Sequence, residues 1–77
     1  VLDTYATTLF KVGEFNKAAD NYGKAYNIDS NNIEIALRYV EALIASKQSQ
    51  KAKKIISELK TEDSILQEKI KRLKGEI

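Results

Sequence analysis

The sequence predicts an all-α domain of antiparallel helix-turn-helix units, about five helices in all, and three observations predict it. The 77 residues contain no proline and only three glycines, so good helix formers run on with few breakers and no low-complexity linker. Apolar residues recur at gaps of three and four, the spacing that lines one face of an α-helix. Compared with itself at an offset of 34, the chain matches in many places, and periods of roughly 20 to 50 residues mark stacked units.

In chain order, Leu2, Tyr5, Leu9 and Val12 form an apolar stripe that predicts a helix from the first residue to Val12, with Asp3 near its positive end. Gly13 stops it, being suited to the left-handed conformation that ends many helices. Phe15, Ala18, Tyr22, Ala25 and Ile28 share one side of a second helix over 16–28, with Asn16 as the acceptor for its first N–H groups. Gly23 falls on the polar side of that helix and costs about 1 kcal/mol against alanine, partly offset by Asp20 and Lys24 at i and i+4.

Asp29, Ser30, Asn31 and Asn32 form a polar turn. A broad apolar side from Ile33 to Ile44 then predicts a third helix over 31–46. Ala52, Ile55, Ile56 and Leu59 predict a fourth over 49–60, after an interruption at Lys47, Gln48 and Ser49 that has neither glycine nor proline. Ser64 and Gln67 have the spacing of a capping box ahead of Leu66, Ile70, Leu73 and Ile77, which predicts a fifth helix running almost to the end.

At the offset of 34, Tyr5 meets Tyr39, Leu9 meets Leu43, Phe10 meets Ile44, Ala18 meets Ala52, Tyr22 meets Ile56 and Ala25 meets Leu59. Asp29 and Ser30 meet Asp63 and Ser64, and Ile70, Leu73 and Ile77 stand 34 beyond Ala36, Tyr39 and Leu43. With these residues the chain resembles the tetratricopeptide repeat family, whose unit is a 34-residue helix pair. In the first copy Ala6 stands where the family wants a small residue, Gly13 at the turn, and Ala18, Tyr22 and Ala25 on the most specific places of the second helix. Leu2 replaces the usual tryptophan and Ser30 the usual proline. The second copy keeps Ala52 but has Val40 and Leu59 for small residues and Lys47 for the turn glycine. A plain antiparallel bundle would share the apolar periodicity, though not the common register.

The resemblance implies a short right-handed α-solenoid, one domain over 1–77. It would consist of repeat 1 at about 1–32, repeat 2 at about 33–63, and a capping helix or start of a third repeat at 64–77. Repeat packing would fall to Ala6, Ala18, Tyr22, Ala25, Tyr39, Ala52 and Ile56. The first helix of each repeat would line a concave groove, which places Asp3, Thr7, Phe10, Glu34, Leu37, Arg38, Glu41, Ile44 and Lys71, with Arg72 beside it, on a partner-binding surface. Phe10, Leu37 and Ile44 would be apolar anchors, and Arg38 with Lys71 would orient a carboxylate. The plainer alternative has Leu37 and Ile44 packing between repeats and Glu34 pairing with Arg38 on a solvated face. The family subclass that clamps a C-terminal carboxylate uses lysine and asparagine where this chain has Asp3 and Thr7, which disfavours that function.

Cysteine and histidine are absent, which removes disulfides, thiolate and imidazole metal ligands and the commonest general base. No nucleophile, metal or phosphate-loop pattern can be assembled. The expectation is a non-catalytic module with no cofactor and no small-molecule substrate, whose partner is another protein or peptide. No apolar run approaches the roughly 20 residues that span a bilayer, and VLDTYATT has neither the charged nor the apolar region of a signal peptide.

The net charge of +2 is uneven: residues 1–46 carry four basic and six acidic side chains, residues 47–77 nine and five. The basic third makes RNA binding an alternative, disfavoured because no aromatic interleaves with the lysines. Leu66, Ile70, Leu73 and Ile77 are also spaced like a short coiled-coil seam, so self-association of a parent protein is another alternative. The chain does not begin with methionine, from which a longer parent is expected. Its opening LDTYATTLFKVGEF is similar to repeats common in bacterial proteins, exported ones included, which inclines the expected location to the cytoplasm or bacterial periplasm.

Overall fold

Five helices follow one another in the computed structural model: α1 (Leu2–Lys11), α2 (Phe15–Ile28), α3 (Ile33–Ala45), α4 (Ser49–Glu58) and α5 (Ser64–Glu76). The described residues are 2–76, with the side chains of residues 2 and 3 left aside. The expectations placed on the side chains of Leu2 and Asp3 and on Ile77 therefore lie outside them. Successive helices pack on each other from α1 to α4, and α5 lies against α3 and α4.

α3 is the centre. Ala36, Leu37, Val40, Ala42 and Leu43 are all buried, and Leu43 and Val40 are the largest fully buried side chains. They share one core with Ala6, Ala18, Ala19, Tyr22, Ala52, Ile56, Ile70 and Leu73. The alanines bring backbones close because nothing beyond Cβ has to be accommodated. The α1 stripe is corrected by this packing: Tyr5 is 56% and Val12 68% exposed. The buried side instead runs through Ala6, fully enclosed, with Leu9 and Phe10 packed beside it. Burial thus follows the i, i+3, i+4 set that starts at the small residue.

Both turns inside the helix pairs are built alike. Gly13 has φ 88° and Lys47, 34 residues later, φ 64°. The Gly13 N–H donates to the Phe10 carbonyl (3.1 Å) and that of Glu14 to Leu9 (2.9 Å); the Lys47 N–H donates to Ile44 (3.1 Å) and that of Gln48 to Leu43 (2.7 Å). This is the Schellman arrangement, which satisfies the last carbonyls of a helix through a left-handed residue.

Helix starts depart from the expected caps. Glu14, not Asn16, precedes α2, and it makes no side-chain capping bond. Asn32 caps α3, its Oδ1 accepting from the Ile35 N–H at 3.2 Å. Asp63 replaces Ser64 as the cap of α5: its Oδ1 accepts from the N–H groups of Ile65 (2.9 Å) and Leu66 (3.3 Å). Gln67, freed from a capping box, donates to the Thr61 carbonyl at 2.6 Å. A carboxylate is the better acceptor at the positive end of a helix, so the cap shifts one residue upstream.

Gly23 is not simply a polar-side residue. A methyl built there would stand 3.2 Å from the Tyr39 Oη and 3.3 Å from its Cζ. The Tyr39 ring lies over the α2 backbone, 5.9 Å from the Tyr26 ring. The helical cost of glycine therefore makes room for an aromatic side chain of α3.

Candidate functional site

α1, α3 and α5 present side chains to a depression made of two neighbouring cavities that meet at Glu41. At one end Phe10 of α1, Glu41, Ile44 and Ala45 of α3, and Arg72, Leu73 and Glu76 of α5 line a cavity of about 360 Å³. At the other, Glu34, Leu37, Arg38 and Glu41 of α3 face Leu66 and Lys69 of α5 around about 230 Å³. Glu41 belongs to both. The first end is floored by apolar groups, the second is rimmed by opposite charges.

The ring of Phe10 is held edge-on to Phe15, 5.1 Å between centroids at 66°, so it is fixed by α2 before any partner arrives. Partial burial raises the Glu41 carboxyl from its ordinary value; Lys69 opposes this, Glu76 adds to it, and Arg38 opposes it again. A solvent-facing carboxylate set between bases and another acid is a place where a partner's charge or hydrogen-bond donor is felt.

Not every residue expected on this surface contributes in the same way. Leu37 is 4% exposed, so it belongs to the core and offers the depression only an edge. Thr7 is half-buried, and its hydroxyl shares a hydrogen bond of 2.8 Å with the Tyr22 Oη, which ties α1 to α2. Lys71 lies elsewhere, lining a cleft between the α4–α5 connection and α5 with Leu59, Lys60, Thr61, Gln67, Ile70 and Lys74. The reason is the orientation of α5. Once Ile70 and Leu73 are buried, residues 69, 72 and 76 fall on one flank and 67, 71 and 74 on the other.

Lys69, Leu73 and Glu76 are thus lining residues not expected on this surface, whereas Arg72 was expected there beside Lys71. Arg72 carried a signal, since it stands 34 beyond Arg38 and both line the depression. Of the residues expected in repeat packing, Ala6, Ala18, Tyr22, Ala25, Ala52 and Ile56 are buried, and Tyr39 is half-buried over Gly23.

Among the described residues no group of three or more acidic, histidine or cysteine side chains could hold a metal ion, and no helix is long and apolar enough to cross a membrane. The sequence profile described as tetratricopeptide repeat matches residues 9–76. The chain belongs to the tetratricopeptide repeat family, and the five-helix fold with its recurring turn is a helical repeat of that kind. No curated protein and no solved structure matches it. Repeats of this family generally mediate protein–protein interaction without catalysis.

Proposed function

We propose that this chain is a non-catalytic docking module that holds a peptide or helix of another protein in the depression formed by α1, α3 and α5. The observation that carries the proposal is the convergence of Phe10 of α1 and Ile44 of α3, with an edge of the buried Leu73 of α5, on one cavity of about 360 Å³ beside Glu41 and Arg72. An apolar floor with a charged rim is what a side chain from a partner helix or extended peptide requires. Two helix pairs, α1–α2 and α3–α4, with α5 closing the second, form the scaffold in this proposal. The second helix of each pair holds the first in position.

The spacing of Ile70 and Leu73 also matches a dimer seam, but both side chains are buried in this chain's own core, which favours the docking role over self-association through that stripe.

A peptide selected on the immobilised chain from a random library tests the proposal through its affinity for variants. Phe10→Ala and Arg72→Glu, each checked for native melting, are expected to weaken binding about tenfold, on the order of 1.4 kcal/mol. Lys53→Glu, on the exposed side of α4, is expected to have no effect. Unchanged affinity in both depression variants would remove the assignment.

A further inference from the structure

We infer that the cleft between the α4–α5 connection and α5 is a second docking site, for an acidic segment of a partner protein that carries an aliphatic side chain among its carboxylates. This goes beyond the role of the depression and does not depend on it, since the two share no lining residue.

The cleft measures about 360 Å³, and three lysines border it: Lys60 from the α4–α5 connection, and Lys71 and Lys74 from one flank of α5. Among the described residues no carboxylate lines it. Among the described residues none of the three ammonium groups has an ion-pair partner. Three like charges brought to one cleft repel each other, and at separations within a Debye length of about 8 Å an anionic partner relieves that repulsion.

The frame is built before the partner arrives. The Gln67 side chain donates to the Thr61 carbonyl at 2.6 Å, and the Asp63 carboxylate caps α5. Together these bonds fix the connection that carries Lys60 against the helix that carries Lys71 and Lys74. Leu59 and Ile70 give the cleft an apolar floor, which a bare inorganic anion would leave uncovered and an aliphatic side chain would fill.

Acidic protein fits better than nucleic acid. Among the described residues no aromatic side chain lines the cleft, so it offers bases no platform on which to stack. Carboxylates flanking a leucine or isoleucine match both the lysines and the floor.

The test uses the 77-residue chain and fluorescence anisotropy of a short labelled peptide in which glutamates flank two leucines. Saturable binding is expected, weakened at least about tenfold by the pair Lys71→Glu and Lys74→Glu, and in the same direction by the milder pair Lys71→Gln and Lys74→Gln should the first disturb folding. The pair Lys51→Glu and Lys54→Glu, an equal change of charge on α4, is expected to leave it unchanged, as is Arg38→Glu in the depression. Replacing the peptide's leucines by serine should weaken it as well. Absence of binding, equal loss in the α4 pair, or indifference to the leucines would overturn the site. Tighter binding of an oligouridylate through the same lysines would overturn the choice of partner.

Discussion

Gly13 and Lys47 stand 34 residues apart and hold the same left-handed backbone, with φ of 88° and 64° and the same pair of returning hydrogen bonds. The turn therefore survives replacement of glycine by lysine, because the bonds that close the helix are made by the backbone. A residue with a Cβ costs about 1 kcal/mol or more in that conformation. Lys47→Gly is expected to raise stability by about 0.5–1 kcal/mol and Gly13→Ala to lower it by about 1–2 kcal/mol. Urea unfolding followed by circular dichroism measures both, and a loss of stability in Lys47→Gly or a gain in Gly13→Ala would show that the two turns are not equivalent.

Tyr39 rests on the α2 backbone at Gly23, where a Cβ would come within 3.2 Å of its hydroxyl oxygen. Valine at Gly23 has to displace the ring as well as lose rotamer freedom, so Gly23→Val should destabilise by about 2 kcal/mol. In a Tyr39→Ala background the same Gly23→Val change should cost less. Equal effects of Gly23→Val with and without Tyr39 would refute the contact.

The hydroxyls of Thr7 and Tyr22 are 2.8 Å apart and join α1 to α2. Tyr22 is 3% exposed, so Tyr22→Phe removes a shielded bond and keeps the packing of the ring. A loss of about 1 kcal/mol is expected. A thermal melt that does not move would mean the bond contributes nothing.

The Glu41 carboxyl is raised from its ordinary value chiefly by partial burial, against the pull of Lys69. A carboxyl whose folded value exceeds its unfolded value holds its proton more tightly when folded. Its contribution is complete below the unfolded value and is lost as pH rises through the folded one. Glu41→Gln should therefore be at least as stable as the wild type at neutral pH and lose that advantage near about pH 3. Urea midpoints at the two pH values decide it, and an advantage for the wild type at neutral pH would contradict the sign.

Asp63 accepts two N–H bonds at the start of α5, whereas Ser64 is the first residue of the helix proper. Asp63→Ala should cost about 1 kcal/mol and Ser64→Ala close to nothing. The reverse order in chemical denaturation would restore Ser64 as the cap.

Helix class and number were legible because apolar spacing is local and glycine and proline are scarce. The repeat was legible because Ala18 with Ala52 and Tyr22 with Ile56 keep the same register. What could not be read depends on the rotation of whole helices. Whether Tyr5 or Ala6 faces α2 is decided by how closely two backbones approach, and periodicity tolerates either. Lys71 and Lys69 sit on opposite flanks of α5 only after Ile70 and Leu73 have been buried against α3 and α4, so the sequence could not show which lysine the depression would receive. Gly23 looked like a cost on a polar side because its partner, Tyr39, lies sixteen residues away on another helix.

The most direct test of the docking role is the amide chemical-shift map of the labelled chain titrated with a library-selected peptide. The account predicts saturable shifts clustered around Phe10, Glu41, Ile44 and Arg72, on α1, α3 and α5. Shifts confined to the exposed sides of α2 and α4, with those residues unmoved, would contradict it.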